Sequence, residues 1–250
     1  MKKLILASAV VGALGAVASN SAHAALASDA VLNFDPGVAG GNYGFILSGS
    51  YFGMDSNSDG NITKAERTGI SQNDGLILGT AQAASGSHLG APGCTNDGGV
   101  TCDNTGEFPG IDNPWAFFGN TGMHQTTSAA TVLTASGNNA TIDFSGWSVT
   151  WNGIADIPMG AGAHSGGTDG VAVVSCSGGT GNCEAGTNFV LDYFATVPPG
   201  DPSNFGGVAY LLHLEGTIGE GAPPIPVPAA IWLFGSGLLG LVGVARRRKA

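Results

Sequence analysis

Between Asp55 and Glu66 the chain spaces oxygen-bearing side chains at intervals suited to capturing a hard divalent cation. Asp55, Asn57, Asp59, Gly60 and Glu66 satisfy the pattern D-x-[DN]-x-[DN]-G-x5-E at every fixed position. Calcium takes about six to eight oxygens. The side chains of Asp55, Asn57 and Asp59 would supply three, and the backbone carbonyl of Asn61 another. Thr63 would act directly or through a water, and Glu66 would close the site with both carboxylate oxygens. Gly60 permits the sharp turn, and Ile62 is the apolar position that ties the loop to its surroundings. The expected cofactor is Ca2+.

No comparable pattern for catalysis is present, and the protein is not expected to be an enzyme. G-x-S-x-G is absent; the nearest stretch, Ala163-His164-Ser165-Gly166-Gly167, lies in a glycine-rich segment rather than a strand-to-helix elbow. His88, His124, His164 and His213 show neither H-E-x-x-H nor any paired metal spacing. Between residues 25 and 222 Lys64 is the sole lysine, which removes phosphate-loop and Schiff-base chemistry. Trp115, Trp147 and Trp151 could form a sugar-stacking platform, although tryptophans on strands more often belong to a core.

Four cysteines form two local pairs, Cys94 with Cys102 and Cys176 with Cys183. Each pairing would close a short turn, in "CTNDGGVTC" and "CSGGTGNC"; four cysteines permit three connectivities, and the two crossed ones stay open. No C-x-x-C spacing points to zinc.

The two ends carry addresses. Lys2 and Lys3, the apolar run Leu4 to Val17 and the sequence Ala22-His23-Ala24 read as a secretory signal over residues 1–24. Ala229 to Ala245 is uncharged, and as a helix it would be roughly 25 Å long, enough to span a bilayer core. Arg246, Arg247, Arg248 and Lys249 follow and would stay cytoplasmic. The intervening body, 25–222, then faces the far side of the membrane, where disulfides form. It holds all eighteen acids against Lys64 and Arg67, a net charge of −16. Such a body cannot neutralise phosphates, so nucleic acid is excluded as a partner. A field of that sign attracts cations, and a calcium loop relieves its self-repulsion. An unpaired site outside the cell suits structural calcium with a Kd of roughly 0.1–1 mM.

The tail "PPIPVPAAIWLFGSGLLGLVGVARRRKA", residues 223–250, resembles the sorting tail of PEP-CTERM proteins: a proline-rich motif, one short hydrophobic helix and a basic terminus. The eponymous Pro-Glu-Pro is replaced by Pro226, Val227, Pro228 and Ala229, closer to the Val-Pro-Leu-Pro-Ala variant. The resemblance implies processing by an exosortase, an inner-membrane precursor and a mature form at the cell surface or outside it. It also implies an exopolysaccharide or biofilm matrix as the setting. "SGSYFGMDSNSDGNITKAE", "GWSVTWNGI" and "LDYFATVPPGDPSNFGGVAYLLHLEGTI" are similar to stretches in other PEP-CTERM bodies, a looser likeness that brings no activity with it.

The elements that must position the loop read as strands. The body is rich in Gly, Ser, Thr and Asn, which favour turns and strands over helices. "YGFILSGSYF" is strand-like, with Tyr43, Phe45, Leu47 and Tyr51 on one face. "ATIDFSGWSVTWNGI" alternates through Ile142, Phe144, Trp147, Val149 and Trp151, with Gly146 a bulge or bend where the phase slips. "GVAVVSC" reads as a buried strand, and "NFVLDYFATV" and "GVAYLLHLEGTI" as antiparallel neighbours about the turn "PPGDPSNFG". Lys64 to Ile70 reads as helical, so the calcium segment resembles an EF-hand loop set in a strand–loop–short-helix frame. The expected fold is all-β: a single jelly-roll-like β-sandwich followed by the C-terminal transmembrane helix. The functional expectation is an exported surface or matrix protein with structural calcium. A carbohydrate-binding module or adhesin is the alternative, and a secreted hydrolase a weaker one.

Overall fold

The computed structural model describes residues 25–41, 43–71, 75–84, 110–161, 167–179 and 182–221. The expected signal peptide, Cys94 and Cys102, and the tail with its helix lie outside these residues. Among the described residues no helix is long and apolar enough to cross a membrane.

Among the described residues fifteen strands run in chain order. They are β1 (Val31–Phe34), β2 (Val38–Gly40), β3 (Phe45–Ser48), β4 (Tyr51–Met54), β5 (Arg67–Gly69), β6 (Leu76–Ile77), β7 (Trp115–Phe117) and β8 (Asn120–Thr126). Then follow β9 (Thr131–Ser136), β10 (Asn139–Asp143), β11 (Trp147–Trp151), β12 (Ile154–Pro158), β13 (Val171–Ser177), β14 (Asn188–Thr196) and β15 (Ala209–Gly219). The protein is all-β and sandwich-like. A nine-stranded sheet runs β5-β4-β15-β14-β13-β10-β9, with β1 and β6 added beside β15; a four-stranded sheet runs β12-β11-β8-β7; β2 and β3 form a separate ribbon.

The long strand β15 organises the large sheet. One edge pairs with β14 from Asn188↔Thr217 to Thr196↔Ala209. The other edge is shared end to end, β4 taking Tyr210 to His213 and β1 taking Gly216 to Gly219. Between them Glu215 bridges the junction, its carbonyl accepting the Asp35 N–H at 2.7 Å and the Ser50 hydroxyl at 3.1 Å. Leu212, Leu214 and Ile218 face the core while His213 and Glu215 face outward, the period-two pattern of a strand with one buried face. The antiparallel β14–β15 pair expected from the sequence is present in full.

Gly146 is the bend where the chain leaves the large sheet at β10 and enters the small one at β11. A side chain there would run into the backbone of Ser128. Phe144 and Trp147, on either side of the bend, stack with ring centroids 4.8 Å apart and lie in the shared core.

Three expectations are corrected. Lys64 to Ile70 is not a helix: Lys64–Glu66 makes one 3₁₀ turn, and β5 follows at once. Pairing with β4, Tyr51↔Gly69 to Gly53↔Arg67, overrides the local helix preference of Lys-Ala-Glu-Arg. "YGFILSGSYF" is not one strand either. Gly49, at φ +73° against the backbone of Pro36, breaks it into β3 and β4. The expected shared face is split accordingly: Leu47 in β3 and Tyr43 just before it are 50% and 81% exposed, while Tyr51 in β4 is buried. Finally, "GVAVVSC" is not buried on both faces; β13 alternates, with Val173 turned to solvent.

Candidate functional site

The twelve-residue loop is the connection of a β-hairpin. It leaves β4 at Asp55, whose N–H donates to the Ala209 carbonyl at 3.0 Å, and returns through the 3₁₀ turn into β5. Gly60 takes φ +85°, the left-handed conformation that the pattern reserves for glycine there. Ile62, half-buried, lies over Gly53 of β4, where any side chain would collide with it. That contact is the apolar tie expected of this position.

The loop oxygens are organised by its own amides. The buried Asp55 carboxylate accepts N–H bonds from Asp59 at 3.0 Å and Gly60 at 2.8 Å. Asn57 Oδ1 accepts the Asp59 N–H at 2.9 Å, and Asp59 Oδ1 the Asn61 N–H at 2.8 Å. Glu66 spans the loop: Oε1 accepts the N–H of Ser56 at 3.0 Å and its hydroxyl at 3.1 Å, and Oε2 accepts the N–H and hydroxyl of Thr63, both at 2.9 Å. The Thr63–Glu66 part is a capping box. Burial alone would raise the Glu66 carboxyl pKa, but the hydrogen bonds from Thr63 and Ser56 outweigh it and hold the group below its ordinary value.

As a donor set these groups suit calcium: hard oxygens only, with two aspartates fixed by backbone amides and a glutamate held ionised. Asp55, Asn57 and Asp59 would hold the ion with the Asn61 carbonyl and Thr63, while Glu66 would exchange its bonds to Ser56 and Thr63 for the cation. Among the described residues no group of three or more His, Cys, Asp and Glu side chains is gathered closely enough to hold a metal.

Two histidine constellations escape motif reading. In the interior, Asp112 and His124 are fully buried, with His124 Nδ1 donating to Asp112 Oδ2 at 2.6 Å. Asp112 also accepts the His124 N–H and the Trp115 indole N–H, each at 3.0 Å. On the far side of the ring, His124 Nε2 meets the Tyr210 hydroxyl at 2.8 Å, and the Trp147 indole N–H donates to the same hydroxyl at 3.3 Å. Burial drives the Tyr210 pKa far up, which keeps the phenol protonated. Because Tyr210 belongs to the large sheet and His124 and Trp147 to the small one, this network pins the two layers together.

On the outer face of the large sheet, His213 sits between two carboxylates. Nδ1 is 2.7 Å from Asp192 and Nε2 is 3.0 Å from Glu215. The Tyr51 ring stacks beside the imidazole at 4.9 Å, and the Arg67 guanidinium lies 4.3 Å over that ring. The hydrogen bond to Asp192 is the main cause raising the His213 pKa; partial burial opposes it, and Glu215 adds to the rise. The i, i+2 placement of His213 and Glu215 on an alternating strand could have flagged this cluster, but Asp192 joins it only through strand register.

Cys176 and Cys183 are joined, with Cα atoms 5.3 Å apart, as one of the three permitted connectivities requires. Trp115, Trp147 and Trp151 are all buried, so they offer no exposed sugar-stacking platform. Comparison with protein-family models, with curated proteins and with solved structures gives no significant match.

Proposed function

We propose that this chain is a non-enzymatic, exported surface or matrix protein. Its body, a single jelly-roll-like β-sandwich, is stabilised by calcium and delivered by the PEP-CTERM-like tail at 223–250. The observation that carries the calcium part is the loop's place in the fold. Its two ends are consecutive strands of the large sheet, so an ion held by Asp55 and Glu66 would clamp β4 to β5. The tail and the strongly acidic body support export, with the exosortase and an exopolysaccharide matrix as partners and the inner membrane as the precursor's location.

Thermal unfolding of the full-length chain with calcium or with chelator tests the site. Binding to the folded state alone contributes RT ln(1 + [L]/Kd), roughly 1.4 kcal/mol at ten times Kd. Asp55→Ala and Glu66→Ala should each abolish the gain. Melting curves that do not respond to calcium would remove the ion from this reading. For the tail, mass spectrometry of the mature surface protein should find no peptide from 238–250; recovery of Arg246 to Lys249 there would make the tail a permanent anchor instead.

A further inference from the structure

An apolar cavity of about 30 Å³ lies between the two sheets, and its wall includes Met54, Trp115, Val149, Trp151, Met159 and Tyr210. Phe117 and Phe205 also line it and are only half-buried, so the opening lies between them. Both rings touch Phe118, with centroids 4.6 and 5.8 Å away. Phe118 itself is 66% exposed.

The backbone at Phe118 is the unusual feature. Phe118 and Gly119, at φ +49° and +74°, form the two-residue turn between β7 and β8. The same sheet holds a second turn of this kind, Asn152-Gly153, at φ +51° and +79° between β11 and β12. Asparagine followed by glycine is the pair such turns favour, because both residues tolerate the left-handed region. A phenylalanine there costs strain and leaves an aromatic ring in water. Within one sheet the chain uses the comfortable residue at one turn and a costly one at the turn beside the cavity mouth. Strain of this sort concentrates at ligand sites.

We propose that the cavity and its aromatic mouth bind the end of a linear hydrocarbon chain. Three observations fix that chemistry. The polar groups of the aromatic wall are already committed: the Tyr210 hydroxyl to His124 and Trp147, Trp115 Nε1 to Asp112, and Trp151 Nε1 to the Phe117 carbonyl at 3.0 Å. A guest that needed hydrogen bonds inside would find only the Ser203 hydroxyl, whose oxygen already accepts the Phe205 N–H at 3.3 Å, so the guest is apolar. The free volume is small, enough for a terminal methyl group but not for a ring. Met54 and Met159 are unbranched and adaptable, which lets the wall widen along a chain. The remainder of the chain lies across Phe117, Phe118 and Phe205.

Titration of the full-length chain, kept soluble in amphipol, with 6-bromohexan-1-ol tests this. Terminal bromine quenches indole fluorescence on contact, and Trp115 and Trp151 line the cavity while Trp232 lies in the tail. Saturable quenching is expected. Phe118→Asn should weaken binding about fivefold or more, yet melt no lower than the parent because it installs the preferred turn residue. Val149→Phe, which fills the cavity, should abolish the saturable phase. Quenching that is linear in concentration overturns the proposal. So does a saturable phase unchanged in Phe118→Asn, or one that survives Val149→Phe and so belongs to the rim alone.

Discussion

His124 packs against Tyr210 on the inner face of the large sheet and His213 lies on its outer face, and each bonds an aspartate through Nδ1, at 2.6 and 2.7 Å. What differs is the partner on the other nitrogen. His124 Nε2 meets a phenol, which can donate, so the hydrogen bonds from Trp147 to Tyr210 to His124 to Asp112 run in one direction; this direction is assigned from the network. His213 Nε2 meets Glu215, and an ionised carboxylate only accepts. Two carboxylate partners favour a proton on each of its nitrogens, which raises its pKa. The inner histidine serves as a fixed hydrogen-bond linker between layers, whereas the outer one is a charge whose presence depends on pH.

Burial sets how much each is worth. Asp112 is sealed from water and relies on three donors, whereas the Asp192 and Glu215 side chains remain 45% and 38% exposed. Removing a partner from a buried charge leaves it uncompensated, which costs about 3–5 kcal/mol. His124→Ala should show the largest loss in denaturant unfolding, and a loss under about 1 kcal/mol would mean that water reaches Asp112. Tyr210→Phe comes next. It leaves Asp112 served but strands His124 Nε2 and the Trp147 N–H, for about 1–3 kcal/mol. If Tyr210→Phe costs as much as His124→Ala, the phenol and not the Asp112 contact is the main pin. The double variant should then lose less than the sum of the two single losses, because both side chains belong to one network.

The two sites also differ in how readable they were. The turn from Asp55 to Glu66 was legible because its candidate ligands come from one continuous stretch, and the structure keeps the left-handed Gly60 and the Ile62 contact that the spacing implied. The β14–β15 pair was legible because both strands alternate cleanly about a turn-rich connection, and the bend at Gly146 showed as a slip of phase. The His124 network was not legible: its partners lie 12 and 86 residues away, and only the stacking of the sheets brings them together. The misread segments share a cause. Lys64 to Ile70 has helix-forming residues, but edge pairing with β4 decides its structure. The exposure of Leu47 in β3 follows from its pairing in a separate ribbon with β2, which no local pattern encodes. Asp192 enters the outer cluster through register alone.

The smallest effect expected is the one that most sharpens the comparison. Facing His213 are Asp192 from β14, Glu215 from its own strand, Tyr51 from β4 and, over Tyr51, Arg67 from β5. The folded protein raises the His213 pKa above its ordinary 6.5, chiefly through the Asp192 hydrogen bond, so folding favours the protonated ring. Its contribution is therefore complete below pH 6.5 and fades as pH rises through the higher folded value. The Tyr51 pKa is raised, chiefly by burial, so its phenol does not mimic this transition. His213→Gln should lower stability below pH 6 by no more than about 1 kcal/mol, the range for partly exposed pairs. At pH 9 it should cost less, and the difference between the two pH values measures the imidazolium. An equal loss at both would mean that His213 acts by stacking on Tyr51 rather than by charge.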